Sequence, residues 1–272
     1  MTITFSFDPI IAQWGPFQLG WHGLFTAIAV MAAIWFAGWL AQRRGIDTAV
    51  VYEIATWGVV GGIAGARLFH VADHLEYYLA NPLLIPAVWE GGIAVYGAFI
   101  GGLVGGGIAA WRARLDPWPL LDIAAPAMLV GQAIGRCGCL CNGDAWGANA
   151  TGCPFCLAIR YTNRDDLVPD QLRGVPTYAY PAYEIAAEAV LLLGLWVFRK
   201  QLERSPGASF LVASIGYAVI RFGLTFFRQE NIVLWGLQEA QVLAVITGAL
   251  ALGVLVWRLA RTRKMALQVV GG

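Results

Sequence analysis

Arg136 and Arg221 are the residues whose setting most demands a chemical role, because each stands toward the outer end of a long apolar run. An ionised side chain at bilayer depth is costly unless it is paired or faces water. Guanidinium grips phosphate through two parallel hydrogen bonds and never loses its charge in a protein. Arg228 follows Arg221 at i+7 in RFGLTFFRQE, which on a continuous helix returns it to the same face. Two converging arginines at headgroup level predict a site for a phospholipid phosphate.

Arg136 also opens the stretch GRCGCLCNGDAWG, residues 135–147, which sets three cysteines, Asn142 and Asp144 directly after its run. With Cys153 and Cys156 the chain holds five cysteines, as a C-x-C-x-C and a C-x-x-C. No metal is expected, since this spacing matches no familiar zinc finger and the histidines, His22, His70 and His74, all lie upstream. A disulfide would join Cys153 to Cys156 or to one of the first group in an oxidising compartment. Otherwise Cys137, Cys139 and Cys141 are compact packed residues, or one is a nucleophile assisted by Arg136.

Membrane helices must hold these groups. The 272 residues are 58% hydrophobic and 13% charged, with mean hydropathy +0.63, more apolar surface than one soluble core of this length needs. Soluble all-β folds are set aside. The net charge of +1 identifies no partner, and no nucleic acid is expected. Crossing about 30 Å of hydrocarbon takes roughly 20 residues per helix. Seven runs qualify, near 19–42, 50–72, 92–113, 119–136, 180–198, 208–227 and 238–260. The first lacks the basic start of a signal peptide and is too long for one. Arg43 and Arg44, Arg112 and Arg114, Arg199 with Lys200 and Arg204, and the cluster from Arg258 to Lys264 follow alternate runs. This predicts an all-α polytopic protein with the N-terminus outside and the C-terminus inside.

One integral membrane domain, 1–272, is expected, with a polar extracytoplasmic segment at 137–179 that reads as a small cap or a plain solvated connection. Glu53, Arg67, Asp122, Glu184, Glu188 and Glu239 also fall within or beside the runs, where pairing between helices is the structural alternative to function. No inverted repeat supports a transporter.

LDIAAPAMLVGQAIGRCGCLCNGDAWG, 121–147, resembles the signature region of prolipoprotein diacylglyceryl transferases, with its G-R-x-G-x-x-x-N-G-[ED]-x-[WY]-G pattern. WHGLFTAIAV, GARLFH, VWEGGIAVYGAFIGG, PAYE, IRFGLTFFRQEN and WGLQEAQVLAVI resemble further family segments in the same order and over nearly the whole chain. The resemblance implies a multi-pass enzyme of the bacterial cytoplasmic (inner) membrane with seven helices. Such an enzyme moves the diacylglyceryl group of phosphatidylglycerol onto the lipobox cysteine of a preprolipoprotein, forming a thioether and releasing glycerol phosphate. Its partners would be phosphatidylglycerol, the lipobox peptide and membrane lipids, with no cofactor.

By the same resemblance Arg136 and Arg221 would hold the phosphate and stabilise the leaving group. Asn142 would donate hydrogen bonds, Gly143 and Gly147 would let the backbone approach the lipid, and Asp144 completes the signature. Glu184 would brace an arginine, and Arg67, Glu90 and Arg228 are further binding positions. The chain departs from the family pattern where its usual first-helix Tyr is His22, the third-helix His is Tyr96, the Asn after R-x-G is Cys139, and the acidic residue between the sixth-helix arginines is Thr225. His22 is the candidate replacement for the missing base, with Tyr96 a hydrogen-bond donor. Two readings follow. The first is the transferase; the alternative is a repurposed or inactive relative that binds phospholipid or handles thiols.

Overall fold

The computed structural model describes residues 1–15, 17–88, 91–92, 94–228 and 232–270, with the backbone alone at 17, 95, 96 and 262–270. All seven apolar runs are helical: α1 (Trp21–Arg43), α2 (Thr48–Asp73), α4 (Val95–Arg112), α5 (Pro117–Asn142), α6 (Tyr180–Val197), α8 (Ala208–Leu224) and α9 (Glu239–Val270). Two short helices, α3 (Leu75–Ala80) and α7 (Arg199–Leu202), lie between them. Among the described residues six helices are long and apolar enough to cross a membrane: α1, α2, α5, α6, α8 with the turn that continues it to Phe227, and α9 as far as Arg261. α4, with 18 residues, is not among the six. Helices suit this environment because each satisfies its own backbone donors and acceptors where no water can. This is a polytopic all-α membrane protein.

The chain divides into two compact units, one of Met1–Ile11, Leu19–Ala33 and Leu121–Gly272, the other of Ala12–Gln18 and Ile34–Leu120. In the second unit α2 and α4 meet backbone to backbone. A Cβ on Gly65 would collide with the Gly97 carbonyl, and one on Gly105 with that of Trp57. Removing side chains permits this approach where no hydrophobic effect drives helices together. At the end of α2, buried Arg67 donates to the carbonyls of Leu84 (2.5 Å), Ile85 (2.8 Å), Gly91 (2.6 Å) and Gly92 (3.0 Å).

In the first unit α5 packs against the opening turns of α1. A Cβ on Gly138 would lie 3.0 Å from His22 Cα and 3.1 Å from Phe25 Cβ, so glycine there lets the two helices close. Asp122, which the sequence marks as an intramembrane charge, is structural. Its carboxylate accepts from the backbone amides of Gly207 (2.7 Å) and Phe210 (2.9 Å), filling the open donors at the start of α8. Ala125 and Leu129 of α5, Leu195 of α6 and Ala213 of α8 form the apolar core beside it.

The sequence ends the fourth run near 136, but α5 continues through the cysteines to Asn142. The run stops on apolarity, whereas the helix continues because protein partners satisfy Arg136 and cysteines pack as small hydrophobes. Gly143 ends it at φ +70°, its amide bonded to Cys139 O at 2.9 Å, so the polar segment starts here and not at 137. That segment carries β4 (Ala158–Tyr161) and β5 (Thr177–Tyr178), which pair antiparallel, while β1 (Thr2–Phe5) joins β4 in parallel. The short strands β2 (Ile10–Trp14) and β3 (Phe17–Gly20) form a two-stranded sheet, as do β6 (Ile232–Leu234) and β7 (Leu237–Gln238). None of these strands was anticipated, since none has the length or alternation that would separate it from a loop.

Candidate active site

Three helices of the first unit bring the conspicuous charges together. Glu184 of α6 is buried, with 1% of its side chain exposed, while Arg136 of α5 and Arg221 of α8 keep 23% and 20%. Arg136 meets the carboxylate side-on, Nε to Oε2 at 2.5 Å and Nη2 to Oε1 at 3.1 Å. Arg221 Nη1 donates to the same Oε1 at 3.1 Å. Tyr180, one turn before Glu184 on α6, donates to Oε1 at 2.9 Å and accepts from Arg221. The carboxylate thus braces both arginines from the buried side, where the sequence suggested one. Two guanidiniums and one carboxylate carry a formal charge of +1, and the arginines are the partly exposed members of the group. An anion is the ligand that this charge and these donors suit.

Arg228 reaches the cluster by another route than the one expected. α8 gives way to a 3-10 turn at Thr225–Phe227 and Arg228 is extended, so the i+7 helical relation fails. Its guanidinium instead stacks over the Tyr180 ring, 4.9 Å from the centroid. Gln238 helps to fix that turn, donating to the carbonyls of Thr225 (3.4 Å) and Arg228 (3.3 Å). Tyr180 was absent from the candidates. Its i, i+4 spacing to Glu184 was the available signal. Glu188, a further turn along, is buried, and neither of its carboxylate oxygens has a partner among the described residues.

The signature stretch supplies a second cluster. His22 Nδ1 lies 3.2 Å from Asp144 Oδ2 and 4.0 Å from Cys139 Sγ, and Arg136 Nη1 lies 3.8 Å from that sulfur. Asn142 donates to Asp144 Oδ2 at 3.3 Å. On a helix the C-x-C-x-C does not act as one unit. Cys137 and Cys141, four residues apart, share a face, and Cys139 projects from another. All three are free, while Cys153 and Cys156 form a disulfide, one of the pairings that the sequence admits.

Gly143 and Gly147 make room for the protein's own chain. A Cβ on Gly143 would lie 2.9 Å from Val168 Cγ2, and one on Gly147 would strike the Tyr178 carbonyl. This corrects the expectation that they open the backbone to lipid. Tyr161 of β4 donates to Leu140 O at 3.1 Å, tying the sheet to the end of α5. Burial, with Asp144 nearby, pushes its phenol above the usual range. Arg67, expected to bind substrate, is committed to backbone carbonyls of its own unit. Glu90 lies outside the described residues, as does the side chain of Tyr96.

Between α6 and α8 a cavity of about 770 Å³ is lined by apolar groups including Tyr183, Ala187, Val190, Val219, Ile220 and Phe227. Tyr183 and Ile220 are the chain neighbours of Glu184 and Arg221.

A model of the family described as Prolipoprotein diacylglyceryl transferase matches residues 9–257. The chain belongs to the prolipoprotein diacylglyceryl transferase family. It is 34% identical over 253 residues to the phosphatidylglycerol–prolipoprotein diacylglyceryl transferase of Thermosynechococcus vestitus, covering 93% of this chain and 92% of the relative. Similarity to the enzyme of that name from Dehalococcoides mccartyi (strain CBDB1) reaches 33% over 260 residues, covering 94% and 96%. The relative from Gloeobacter violaceus is 32% identical over 248 residues, covering 90% and 91%. Relatedness to diacylglyceryl transferases across almost the whole chain does not favour the repurposed alternative.

Proposed function

We infer that this protein transfers the diacylglyceryl group of phosphatidylglycerol to the thiol of a lipobox cysteine in a preprolipoprotein. The observation that carries the site assignment is the convergence of Arg136 and Arg221 on one buried carboxylate, with 23% and 20% of their side chains exposed. The bridging phosphate of the lipid would lie against these two guanidiniums. As the sulfur bonds to the glyceryl carbon, the thiol proton leaves on the His22 side, the carbon–oxygen bond to phosphate breaks, and glycerol phosphate leaves with the electron pair. The arginines stabilise the charge that develops on it. Tyr180 and Glu184 hold them in position, and Arg228 adds positive charge beside Tyr180. The apolar cavity between α6 and α8 suits an acyl chain, next to the charges that suit the headgroup.

The thiol side of the reaction belongs to His22, Cys139 and Asp144, with Asn142 orienting the carboxylate. Gly143 and Gly147 shape the loop that carries Asp144, and Arg67 steadies the segment leading to Glu90 and Tyr96. Seven helices with the N-terminus outside and the C-terminus inside, in a bacterial cytoplasmic membrane, agree with the alternating basic clusters. That orientation puts the site on the outer side, where translocated lipoprotein precursors emerge.

Purified protein incubated with phosphatidylglycerol and a lipobox peptide should yield the thioether, read by mass. Arg136→Ala and Arg221→Ala should each abolish most of it. Folded wild type giving no product with any phospholipid would overturn the assignment. Full activity in His22→Phe would remove His22 from the reaction.

A further inference from the structure

His22 and Cys139 are 117 residues apart in sequence and adjacent in space. Gly138 is the reason, since it lets α5 close on the first turn of α1. Asp144 completes the group. The three ligand atoms, one nitrogen, one sulfur and one oxygen, all lie within 4.8 Å of one another.

Hydrogen bonding satisfies part of this arrangement, since Cys139 pairs with Asp144 and Arg136 Nη1 lies 3.8 Å from the sulfur, but not all of it. Asp144 Oδ2 at 3.2 Å and Cys139 Sγ at 4.0 Å both approach the same imidazole nitrogen, Nδ1. That nitrogen has one proton or one lone pair and serves one partner well. The second carboxylate oxygen, Asp144 Oδ1, is buried with no partner among the described residues, which is costly for a carboxylate. A divalent cation held by His22, Cys139 and both oxygens of Asp144 would resolve both problems. A tetrahedral site with metal–ligand bonds of about 2.0–2.3 Å has edges of roughly 3.3–3.6 Å between ligands. The observed separations approach that within an ångström or so. One thiolate and one carboxylate would also neutralise a divalent charge, and Asn142, bonded to Asp144, supplies the outer support that ligating carboxylates usually have.

We propose that His22, Cys139 and Asp144 form a binding site for a divalent transition-metal ion of the zinc class, with its fourth position open to a thiol. Sulfur, nitrogen and carboxylate oxygen together favour such an ion over magnesium or calcium, which take oxygen ligands. The metal binding stands on the geometry alone; the use of the fourth position rests on the transferase reading. There the lipobox thiol would enter as thiolate. Its S–H bond breaks, a metal–sulfur bond forms, and the proton leaves to water on the side where His22 is 43% exposed. The sulfur would then attack the glyceryl carbon as the carbon–oxygen bond to phosphate breaks, glycerol phosphate leaving with that electron pair and the thioether releasing the metal.

The test is titration of purified, chelator-treated protein in detergent with cobalt(II), whose thiolate complexes absorb in the near ultraviolet and visible. Wild type should bind one cobalt per chain with a sulfur-to-cobalt band. Cys139→Ala and Cys139→Asn should lose the band, Cys137→Ser and Cys141→Ser should keep it, and Asn142→Ala should weaken binding about 10–100-fold. No band in wild type, or a band surviving in both Cys139 variants, overturns the proposal. Thioether formation measured on the same chelated and zinc-restored samples separates the two readings. Product at an undiminished rate without metal, together with no cobalt binding, sinks the metal site and leaves the transferase standing. Cys139-dependent cobalt binding without any lipid transfer does the reverse.

Discussion

Two helix contacts, one in each unit, are made by opposite means. α2 and α4 touch through glycine, with side chains removed so that carbonyls and Cα atoms make the contact. α5, α6 and α8 instead converge on charged groups, with Glu184 holding two arginines from its neighbours. Close packing tolerates no added atom, whereas an ion cluster tolerates no missing one. The first arrangement joins two helices through backbone alone; the second joins three and keeps two guanidiniums partly exposed. The difference teaches that an intramembrane charge can be a structural necessity and a functional group at once, which a glycine contact cannot be.

Removing the charge at the centre of the cluster should have the largest effect. Glu184→Ala leaves two arginines without their shared counter-ion and is expected to cost about 3–5 kcal/mol of stability. Thermal unfolding in detergent would read it, and an unchanged Tm would show that the arginines are held by other groups. Next come the arginines themselves. Arg136→Ala and Arg221→Ala should each lower thioether formation about 10²–10³-fold, the usual cost of losing one donor to a developing anion. A variant of either with near-normal turnover would reduce this cluster to packing and erase its contrast with the glycine pair.

On the glycine side Gly101→Ala, whose Cβ would strike the Gly61 carbonyl, should destabilise by about 1–3 kcal/mol. Gly107→Ala, on the same helix with nothing within 4 Å of an added Cβ, should be neutral or stabilising by about 0.4–1 kcal/mol. Equal behaviour of the two in unfolding measurements would break the argument from backbone contact. A modest effect should come from the Cys153–Cys156 disulfide. It closes a loop with a sequence separation of three, so Cys153→Ser with Cys156→Ser should cost no more than about 2 kcal/mol. Unfolding with and without reductant would check it.

Long helices and conspicuous charges could be read from the residues in order. Hydrocarbon thickness sets the length of an apolar run, and the need to satisfy every backbone group makes that run a helix, so these elements depend on local composition. Arg136 and Arg221 stood out for the same reason, as charges where charges are costly. The sequence also carried the family signature, though not the extension of α5 through it, because the window that finds a membrane helix counts apolarity and not partners.

What only the tertiary structure decided is which of these residues meet. Arg136 and Arg221 share Glu184 across 48 and 37 residues of sequence, and Tyr180 completes the group from the face of α6 that carries Glu184. Arg67 turned inward to backbone carbonyls, Arg228 left the helix, and one cysteine of three, Cys139, faced His22 in the first turn of α1. Each outcome depends on distances between helices. Those distances are set by the volumes at their contacts, as at Gly138, and no spacing along a single helix encodes them.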